Sequence, residues 1–353
     1  MKRISAIICE LNPLHEGHKH IFSAAKEKSD VLIAVMSGNF VQRGETAVYD
    51  KYKRARSVLS AGADLVLELP FPYSASSAEF FARAGVRVAE SVGADSLYFG
   101  SESGDTEALR RAGKVLSSRE YRDAMTVGRS AALRSEILKE LAPDLPESLL
   151  FSPNDILACE YCRNATIETV AVKRISSDSA SAIRAENIGK EGSDMLDPRV
   201  LFKLEYEHFR TMRKADFVFA ECTGGVFERL YNIAYTASSY TEWLEAVKTK
   251  QYTNSRLRRA ALFALCSVKP EELRSPVGFT RVLGANKRGR EYLNSIRKSC
   301  DFPVLTNSSD KRILSDDILA QVNLSEYADS IYALCSGEID PAIFLKTPPV
   351  MVE

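Results

Sequence analysis

The sequence predicts an α/β protein whose first half is a parallel sheet wrapped by helices and whose second half is mainly helical. In the first half, short apolar runs alternate with helical patterns, which is typical of buried parallel strands joined by helices. After about residue 197, long periodic segments follow with few strand-like runs. The chain has 353 residues, which is enough for two hydrophobic cores. We therefore predict two domains, residues 1–196 and residues 197–353.

The first domain is predicted to alternate strands and helices, on the basis of its apolar runs and their periodicity. Its strands are predicted at residues 4–9, 31–36, 65–67, 96–99 and 169–172. Its helices are predicted at residues 17–28, 51–61, 76–91, 105–116 and 121–141, with further helix starts at Pro153 and after Ser179. The second domain is predicted to contain helices at residues 201–214, 227–237, 241–247 and 260–266.

Charge is balanced over the whole chain but not along it. Lysines plus arginines equal aspartates plus glutamates at 47 each, so the net charge does not indicate a nucleic-acid partner. Residues 245–312, however, contain 15 basic and 6 acidic side chains, an excess of +9. That segment is either a basic binding surface or a solvated face.

Cysteine usage and hydropathy indicate a reducing, aqueous compartment. Seven cysteines scattered over a long chain do not match a disulfide framework, which favours the cytoplasm. Cys159 and Cys162 form one CxxC without a second pair at zinc spacing, so no metal site is predicted. No stretch approaches the ~20 apolar residues of a membrane span. We expect a soluble, cytoplasmic protein.

A polar segment, residues 12–18 (NPLHEGH), follows the first predicted strand and opens the first helix. A helix N-terminus presents free N–H groups and a positive dipole end, so phosphates bind there readily. His15 and His18 can donate hydrogen bonds to phosphate oxygens while negative charge builds on phosphorus. Gly17 lets a nucleotide approach the backbone. The alternative is that the two histidines merely cap the helix.

Four further groups are candidates for binding a nucleotide. Ser181 and Arg184 lie at a predicted helix start, where a hydroxyl and a guanidinium can hold a phosphate, and Arg174 precedes them. Asn154 follows a helix cap and offers an amide to a base or ribose. Gly100 ends a strand, where it either makes a turn or lets adenine lie against the backbone.

Two adjacent polar segments are harder to assign from sequence. Residues 36–45 (MSGNFVQRGE) follow the second strand as a glycine-rich loop that is able to close over a substrate. Residues 50–54 (DKYKR) begin the next helix. Charges at such a position are more typical of a solvated face than of a site.

The HxGH at His15 to His18 resembles the signature of the nucleotidyltransferase superfamily, which includes class I aminoacyl-tRNA synthetases and cytidylyltransferases. The group from Ser179 to Arg184 resembles the ISSTxxR element that accompanies it. The resemblance implies a Rossmann-like parallel sheet of the nucleotidyltransferase type and attack at an alpha-phosphate. It assigns His15 and His18 to catalysis.

Longer blocks in the same order resemble the tRNA(Met) cytidine acetate ligase family across nearly the whole chain. These blocks cover residues 10–18, 36–45, 62–70, 99–102, 152–157, 179–184, 251–253 and 282–290. The resemblance implies that acetate attacks ATP to give acetyl-adenylate, and that the acetyl group passes to N4 of the wobble cytidine of elongator tRNA(Met). It also implies ATP as cofactor, with Mg²⁺ carried by the nucleotide rather than by a protein cage.

The same resemblance assigns binding residues, each by its position in this sequence. The nucleotide contacts that it implies are Ile8, Cys9, Glu10, Leu11, Asn12, Pro13, Leu14, Gly17, Ile21, Gly100, Asn154 and Arg174, with Ser181 and Arg184 as phosphate contacts. The RNA contacts are Lys250, Tyr252, Arg256, Arg258, Arg259, Lys287 and Arg288. This chain departs from the family at Leu11 and Leu14, where aromatic residues are usual, and at Ile21, where a histidine is usual.

Two other functions remain open from the sequence. One is a nucleotidyltransferase that acts on a small phosphorylated metabolite, which would need no basic RNA surface. The other is a tRNA-binding or nucleotide-sensing protein that has lost turnover. The basic residues 245–312 argue against the first, and the presence of both His15 and His18 argues against the second.

Overall fold

The computed structural model describes residues 2–126, 133–175, 179–213, 218–249, 252–297 and 300–353. Within them the strands are β1 (Ile4–Cys9), β2 (Val31–Ser37), β3 (Phe40–Val41), β4 (Glu45–Thr46), β5 (Leu65–Leu69), β6 (Ser96–Ser101), β7 (Glu168–Lys173), β8 (Thr280–Ala285), β9 (Val304–Leu305) and β10 (Val350–Met351).

Helices join these strands and dominate the second half of the chain. They are α1 (Glu16–Lys26), α2 (Lys51–Ser60), α3 (Ala78–Ser91), α4 (Thr106–Ser117), α5 (Arg119–Thr126), α6 (Leu133–Leu141), α7 (Ser148–Phe151), α8 (Pro153–Asn164), α9 (Ala180–Asn187), α10 (Arg199–Thr211), α11 (Val226–Thr236), α12 (Tyr240–Ala246), α13 (Asn254–Leu265), α14 (Pro270–Arg274), α15 (Lys287–Ile296), α16 (Asp316–Ser336) and α17 (Ile343–Lys346). Short 3₁₀ turns cover Tyr73–Ala75 and Ser308–Ile313.

The main sheet has the strand order β10-β8-β5-β2-β1-β6-β7, with β9 paired to β8. Strand β1 lies in its interior and pairs in parallel with β2 and β6. Every residue of β1 and β2 is buried, as expected for strands rich in valine and isoleucine that are covered on both faces. The order reverses at β1, because β2 and β5 lie on one side and β6 and β7 on the other. Such a switch point opens a crevice at the carboxyl ends of the strands.

The predicted α/β fold is confirmed, and the five strands predicted for the first half correspond to β1, β2, β5, β6 and β7. The helix predicted over residues 121–141 is helical at both ends, in α5 and α6, and the stretch between them lies outside the described residues. In the described part of the chain, no helix is long and apolar enough to cross a membrane.

The second half of the chain is mainly helical, as predicted, but it also contributes strands that the sequence did not reveal. Strand β8 pairs antiparallel with β5, so the sheet is mixed rather than wholly parallel, and β10 pairs with β8. Helices α10 to α13 form a second hydrophobic core, in which the Trp243 indole is buried and donates a hydrogen bond to the Leu230 carbonyl at 3.0 Å. The division at residue 197 stays a prediction.

A buried ionic cluster connects the start of α2 to the C-terminal helix α16. Lys51 is fully buried, and its ammonium lies 2.8 Å from a Glu68 oxygen and 2.5 Å from an Asp329 oxygen. The amide of Asn39 donates to the other oxygen of Asp329 at 2.9 Å. The prediction of a solvated face at residues 50–54 is therefore wrong for Lys51, and also for Arg54, which is buried. Carboxylates 17 and 278 positions later in the sequence allow the Lys51 charge to lie inside.

We expect Lys51→Met to destabilise the protein by roughly 3 kcal/mol or more, because it removes the nearest cation of two buried carboxylates and leaves Arg281, 3.9 Å from a Glu68 oxygen, as the next one. Denaturant unfolding at neutral pH measures the loss. The matched control is Lys53→Met on the same helix, where the ammonium pairs with Asp194 in an exposed position. That variant should change stability by less than about 1 kcal/mol. Similar small losses in both variants would contradict a structural role for the buried cluster.

Candidate active site

A cavity of about 410 Å³ lies at the carboxyl ends of β1 and β6. The loop after β1, the start of α1, the β3–β4 hairpin and the starts of α8 and α9 surround it. Most of the residues predicted to bind nucleotide line this one cavity: Ile8, Cys9, Glu10, Asn12, His15, Gly17, His18, Ile21, Gly100, Asn154, Arg174, Ser181 and Arg184. Segments as distant as residues 8 and 184 therefore meet at the switch point of the sheet.

Three predicted nucleotide contacts, Leu11, Pro13 and Leu14, belong to the same loop but do not line the cavity. The backbone at Leu11 is left-handed, with φ of 53°, and its side chain is buried in the hydrophobic core. Leu14 packs against that core as well. Their roles toward a nucleotide stay predictions. Because their side chains do not line the cavity, such a contact would have to come from the backbone.

The two histidines lie side by side at the start of α1, with ring centroids 3.8 Å apart. His15 is the N-cap residue, and its Nδ1 accepts the Gly17 N–H at 3.1 Å. A ring nitrogen that accepts must be unprotonated, so neutral His15 carries its proton on Nε2. The buried Nδ1 of His18 has no hydrogen-bond partner among the described residues. His15 therefore caps the helix and still has a donor, so capping and ligand binding are compatible.

Both histidines are held in the neutral form in the free site. Burial, then the neighbouring His15, then Arg174, lower the pKa of His18 from 6.5 to about 3. Burial and the positive charge of Arg174 also lower the pKa of His15. Neutral rings still donate hydrogen bonds, and a bound polyanion would favour their protonation. The cavity thus combines neutral donors with the fixed cations Arg174 and Arg184.

Gly100 lies inside strand β6, where it pairs with Val172, so the interpretation of this residue as a turn is wrong. A side chain here would collide with Ile21, because a Cβ atom would lie 2.8 Å from the Ile21 Cδ1. A larger residue at position 100 would make the end of the Ile21 side chain move, so glycine favours the close approach of α1 to β6. Gly100 also lines the cavity, as the adenine alternative requires.

Glu102 organises the cavity wall at the end of β6 and the start of α8, a role that the sequence did not reveal. Its carboxylate accepts from the Asn154 amide at 2.6 Å and from the Asp155 N–H at 3.0 Å, and it lies 3.4 Å from the Arg174 guanidinium. Asp155 in turn is buried and accepts the Glu102 N–H at 2.9 Å. The start of α8 and the end of β6 are thereby fixed to each other. Asn154 and Arg174 are held at the cavity by this carboxylate.

The start of α9 closes the cavity from the other side. Ser179 caps this helix by accepting the Ala182 N–H at 3.1 Å, as the sequence predicted. The Arg184 guanidinium donates to the Asn12 carbonyl and to the Ser181 hydroxyl, the latter at 3.2 Å. Arg184 therefore connects α9 to the loop that carries His15. Ser181 and Arg184 stay predicted phosphate contacts, and their position at the cavity is compatible with that role.

Buried Arg54 holds loops that surround the cavity, and this role was not predicted from the sequence. Its guanidinium donates to the backbone carbonyls of Glu10, at 2.6 Å, Tyr49, at 3.0 Å, and Gly38. The carboxylate of Glu10 accepts the Gln42 N–H at 2.5 Å. Burial raises the pKa of Glu10, although the nearby arginines oppose this shift. No local pattern distinguishes Arg54 from a solvated helix arginine, since its three acceptors come from three separate loops.

Comparison with known proteins agrees with this geometry over nearly the whole chain. The family model described as HIGH Nucleotidyl Transferase matches residues 1–189 and 187–342. The tRNA(Met) cytidine acetate ligase of Syntrophotalea carbinolica is 33% identical and covers 87% of this chain and 85% of its own. The ligase of the same name from Clostridium acetobutylicum is 31% identical and covers 96% and 97%. The chain belongs to the tRNA(Met) cytidine acetate ligase family.

Solved structures of a family member agree as well. The crystal structure of Thermotoga maritima TmcAL bound with alpha-thio ATP superimposes with a TM-score of 0.89 at 30% identity, covering 99% of both chains. The apo form of the same protein gives a TM-score of 0.89 at 28% identity. Family membership thus confirms the resemblance and the nucleotidyltransferase-type fold that the sequence predicted.

The residues that family resemblance assigned to RNA do not form one surface. Arg256, Arg258 and Arg259 lie on α13, near the cavity, and each is paired with a glutamate: Arg256 and Arg259 with Glu221, and Arg258 with Glu45. The ring of Tyr252 packs under the Arg256 guanidinium at 4.8 Å. Lys250 lies outside the described residues.

The other two predicted RNA contacts, Lys287 and Arg288, are exposed at the start of α15. Strand β8 runs antiparallel to β5, so its last residue, Ala285, pairs with Leu65 at the beginning of β5. Lys287 and Arg288 therefore lie at the amino-end edge of the parallel strands, opposite the cavity. The roles of both groups toward RNA stay predictions.

We expect His18 to make stability fall in acid. Its pKa in the folded protein, about 3, lies below the ordinary 6.5. The unfolded chain therefore takes up a proton first, and stability present above pH 6.5 is lost as the pH falls toward 3, by at most ~1.4 kcal/mol per pH unit. Denaturant unfolding at several pH values should give a shallower slope for His18→Gln than for the native chain. Equal slopes would contradict a buried neutral ring.

Proposed function

We propose that this chain is an ATP-dependent ligase that activates acetate as acetyl-adenylate and transfers the acetyl group to N4 of the wobble cytidine of elongator tRNA(Met). The observation that carries the proposal is the pair His15 and His18 at the start of α1, inside a cavity of about 410 Å³ at the switch point of the sheet. Membership in a family named for this reaction supports it.

In the first step, a carboxylate oxygen of acetate attacks the alpha-phosphorus of ATP. A new oxygen–phosphorus bond forms as the bond to the beta-phosphate breaks, and pyrophosphate leaves with the electron pair. Negative charge on the phosphoryl oxygens increases on the way to the transition state. The Nε2–H of His15 and a ring N–H of His18 are proposed to donate to those oxygens.

Preorganisation is what the protein contributes to this step. The helix start fixes His15, and the packing of the two rings fixes His18 against it. Because donors that are already oriented need no reorganisation during the reaction, they stabilise the transition state more than water does. The adenine is proposed to lie along the Gly100 backbone and the ribose beside Asn154. Arg174, Ser181 and Arg184 are proposed to hold the beta- and gamma-phosphates.

Mg²⁺ is proposed to enter with the nucleotide. Among the described residues no cluster of three or more histidine, cysteine, aspartate or glutamate side chains forms a metal site. Mg²⁺ is commonly held by substrate phosphates with few protein ligands. It would neutralise part of the triphosphate charge and help pyrophosphate to leave.

In the second step, the N4 amine of cytidine attacks the acetyl carbonyl carbon, the amine loses a proton, and AMP leaves. Basic residues outside the cavity are proposed to bind the tRNA backbone, where neutralisation of phosphates dominates affinity. Tyr252 with Arg256, and Lys287 with Arg288, are the candidates. Action on tRNA in this way, and seven unpaired cysteines, support a cytoplasmic location.

The two alternatives from the sequence have less support. A nucleotidyltransferase for a small phosphorylated metabolite shares the HxGH but not the family match over most of the chain. A protein without turnover would not need His15 and His18 together in a formed cavity. One comparison separates all three functions: ATP with and without acetate, and with and without tRNA(Met), assayed for pyrophosphate and for acetylated cytidine. Pyrophosphate release that does not require acetate would sink the proposal.

His15→Ala and His18→Ala should each slow acetate-dependent pyrophosphate release by about 10²-fold, because each removes a donor that acts in the transition state. The matched control is His20→Ala on the same helix, since His20 does not line the cavity. That variant should release pyrophosphate at nearly the native rate. Native rates in the His15 and His18 variants would remove both residues from the mechanism.

Replacing Lys287 and Arg288 together by alanine should weaken tRNA binding and lower the slope of log K against log salt by about 1 to 2, if both contact phosphates. Binding titrations at several salt concentrations measure the slope. Acetate-dependent pyrophosphate release without tRNA checks that the variant is folded. An unchanged slope would show that this edge of the sheet does not meet RNA.

A further inference from the structure

Strands β3 and β4 form a small antiparallel hairpin, residues 40–46, separate from the main sheet. One side of it lines the cavity through Val41, Gln42, Arg43 and Glu45. The sequence suggested that this loop closes over a substrate. Its place on the cavity wall makes its own side chains candidates for ligand contacts.

The other side of the hairpin rests directly on helix α13. Gly44 has a left-handed φ of 71°, and a Cβ atom there would lie 2.6 Å from the Arg259 backbone nitrogen. The next residue, Glu45, forms an ion pair with the Arg258 guanidinium. That guanidinium also stacks over the Phe202 ring at 4.9 Å. Arg258 is therefore committed on two sides, to a carboxylate and to an aromatic face.

Arg43, at the turn of the hairpin, differs from the other arginines of the cavity. Arg174 pairs with Glu102, and Arg184 donates to the Asn12 carbonyl. In the part of the chain that the structure describes, no hydrogen bond or ion pair holds the Arg43 guanidinium, which is exposed. Its charge acts on Glu10, Arg184 and Arg258. The mouth of the cavity thus has an uncommitted cation close to other cations.

We propose that Arg43 binds the beta- and gamma-phosphates of ATP, and that Arg258 is a positioning residue that holds the hairpin, and so Arg43, over the cavity instead of contacting RNA. An exposed guanidinium near like charges gains from a polyanion, and its fork matches phosphate oxygens. Arg258 lacks that freedom, because Glu45 already neutralises it. That these two phosphates leave together as pyrophosphate rests on the proposed function. The binding of Arg43 to them does not depend on it.

Calorimetric binding of two nucleotides tests the proposal: α,β-methylene ATP, which carries the outer phosphates, and AMP, which lacks them. Arg43→Ala should weaken binding of α,β-methylene ATP by about tenfold, as for a lost charge-assisted hydrogen bond, and leave AMP binding unchanged. Arg258→Met should weaken the triphosphate analogue by about fivefold, again without affecting AMP. A variant that merely loosened the fold would weaken both nucleotides.

The double variant decides whether Arg258 acts through Arg43. If it does, Arg43→Ala with Arg258→Met binds α,β-methylene ATP about tenfold more weakly than the native chain, as Arg43→Ala alone does. A loss near fiftyfold, the product of the two single effects, would overturn the positioning role. Equal losses for AMP and the triphosphate analogue in Arg43→Ala would overturn the phosphate contact.

Three further measurements make the result specific. Glu45→Gln should reproduce Arg258→Met, since it weakens the same ion pair from the cavity side. Arg83→Met is the matched control, because Arg83 also stacks on a phenylalanine, Phe80, at 4.9 Å but bonds only to carbonyls of α14; it should bind both nucleotides normally. The slope of log K against log salt for tRNA binding should be unchanged in Arg258→Met. A reduced slope would indicate that Arg258 contacts RNA.

The proposed function is checked separately on the native chain. Native protein that binds α,β-methylene ATP but releases no pyrophosphate with acetate would defeat the proposed function and leave this inference intact. If the native chain releases pyrophosphate with acetate and Arg43→Ala binds α,β-methylene ATP as tightly as the native chain, the proposed function stands and this inference is wrong.

Discussion

The cavity depends on one buried cation, Arg54. Its guanidinium donates hydrogen bonds to carbonyls in three loops, those of Glu10, Gly38 and Tyr49. These bonds fix the end of β1 relative to the hairpin and to α2. A buried carbonyl without a donor costs about 1–3 kcal/mol, so three acceptors on one side chain make the arrangement strongly preferred over looser ones. The histidines, the hairpin and the Glu10 carboxylate are all carried by the loops that Arg54 holds, or lie next to them.

The electrostatics of the site follow from what surrounds those loops. Burial and the charge of Arg174 lower the pKa of His15 and His18 and keep both rings neutral, while Arg174 and Arg184 are held by Glu102 and by the Asn12 carbonyl. The two rings therefore stay neutral beside the arginines of the cavity. A bound triphosphate would bring negative charge to the arginines of the cavity. It would also favour protonation of the two rings, which makes them stronger hydrogen-bond donors. The positive charge of Arg174, which lowers the pKa of both rings, would therefore also attract the nucleotide.

Local sequence patterns predicted much of the fold and the chemical centre of the site. The strands β1, β2, β5, β6 and β7 carry continuous apolar runs, and the histidine pair directly follows the first of them. Contacts between distant segments were not predictable in this way. Lys51 and Arg54 look like solvated helix charges until Glu68, Asp329 and three carbonyls are brought to them. Strand β8 was missed because its six residues gain their strand character from pairing with β5, more than 200 positions earlier.

The buried contact between Lys51 and Asp329 has a consequence for synthesis of the chain on the ribosome. Glu68 follows Lys51 by 17 positions, but Asp329, the second carboxylate of the ammonium, is made 278 positions later. The buried contacts among Lys51, Asn39 and Asp329 are therefore complete only near the end of synthesis.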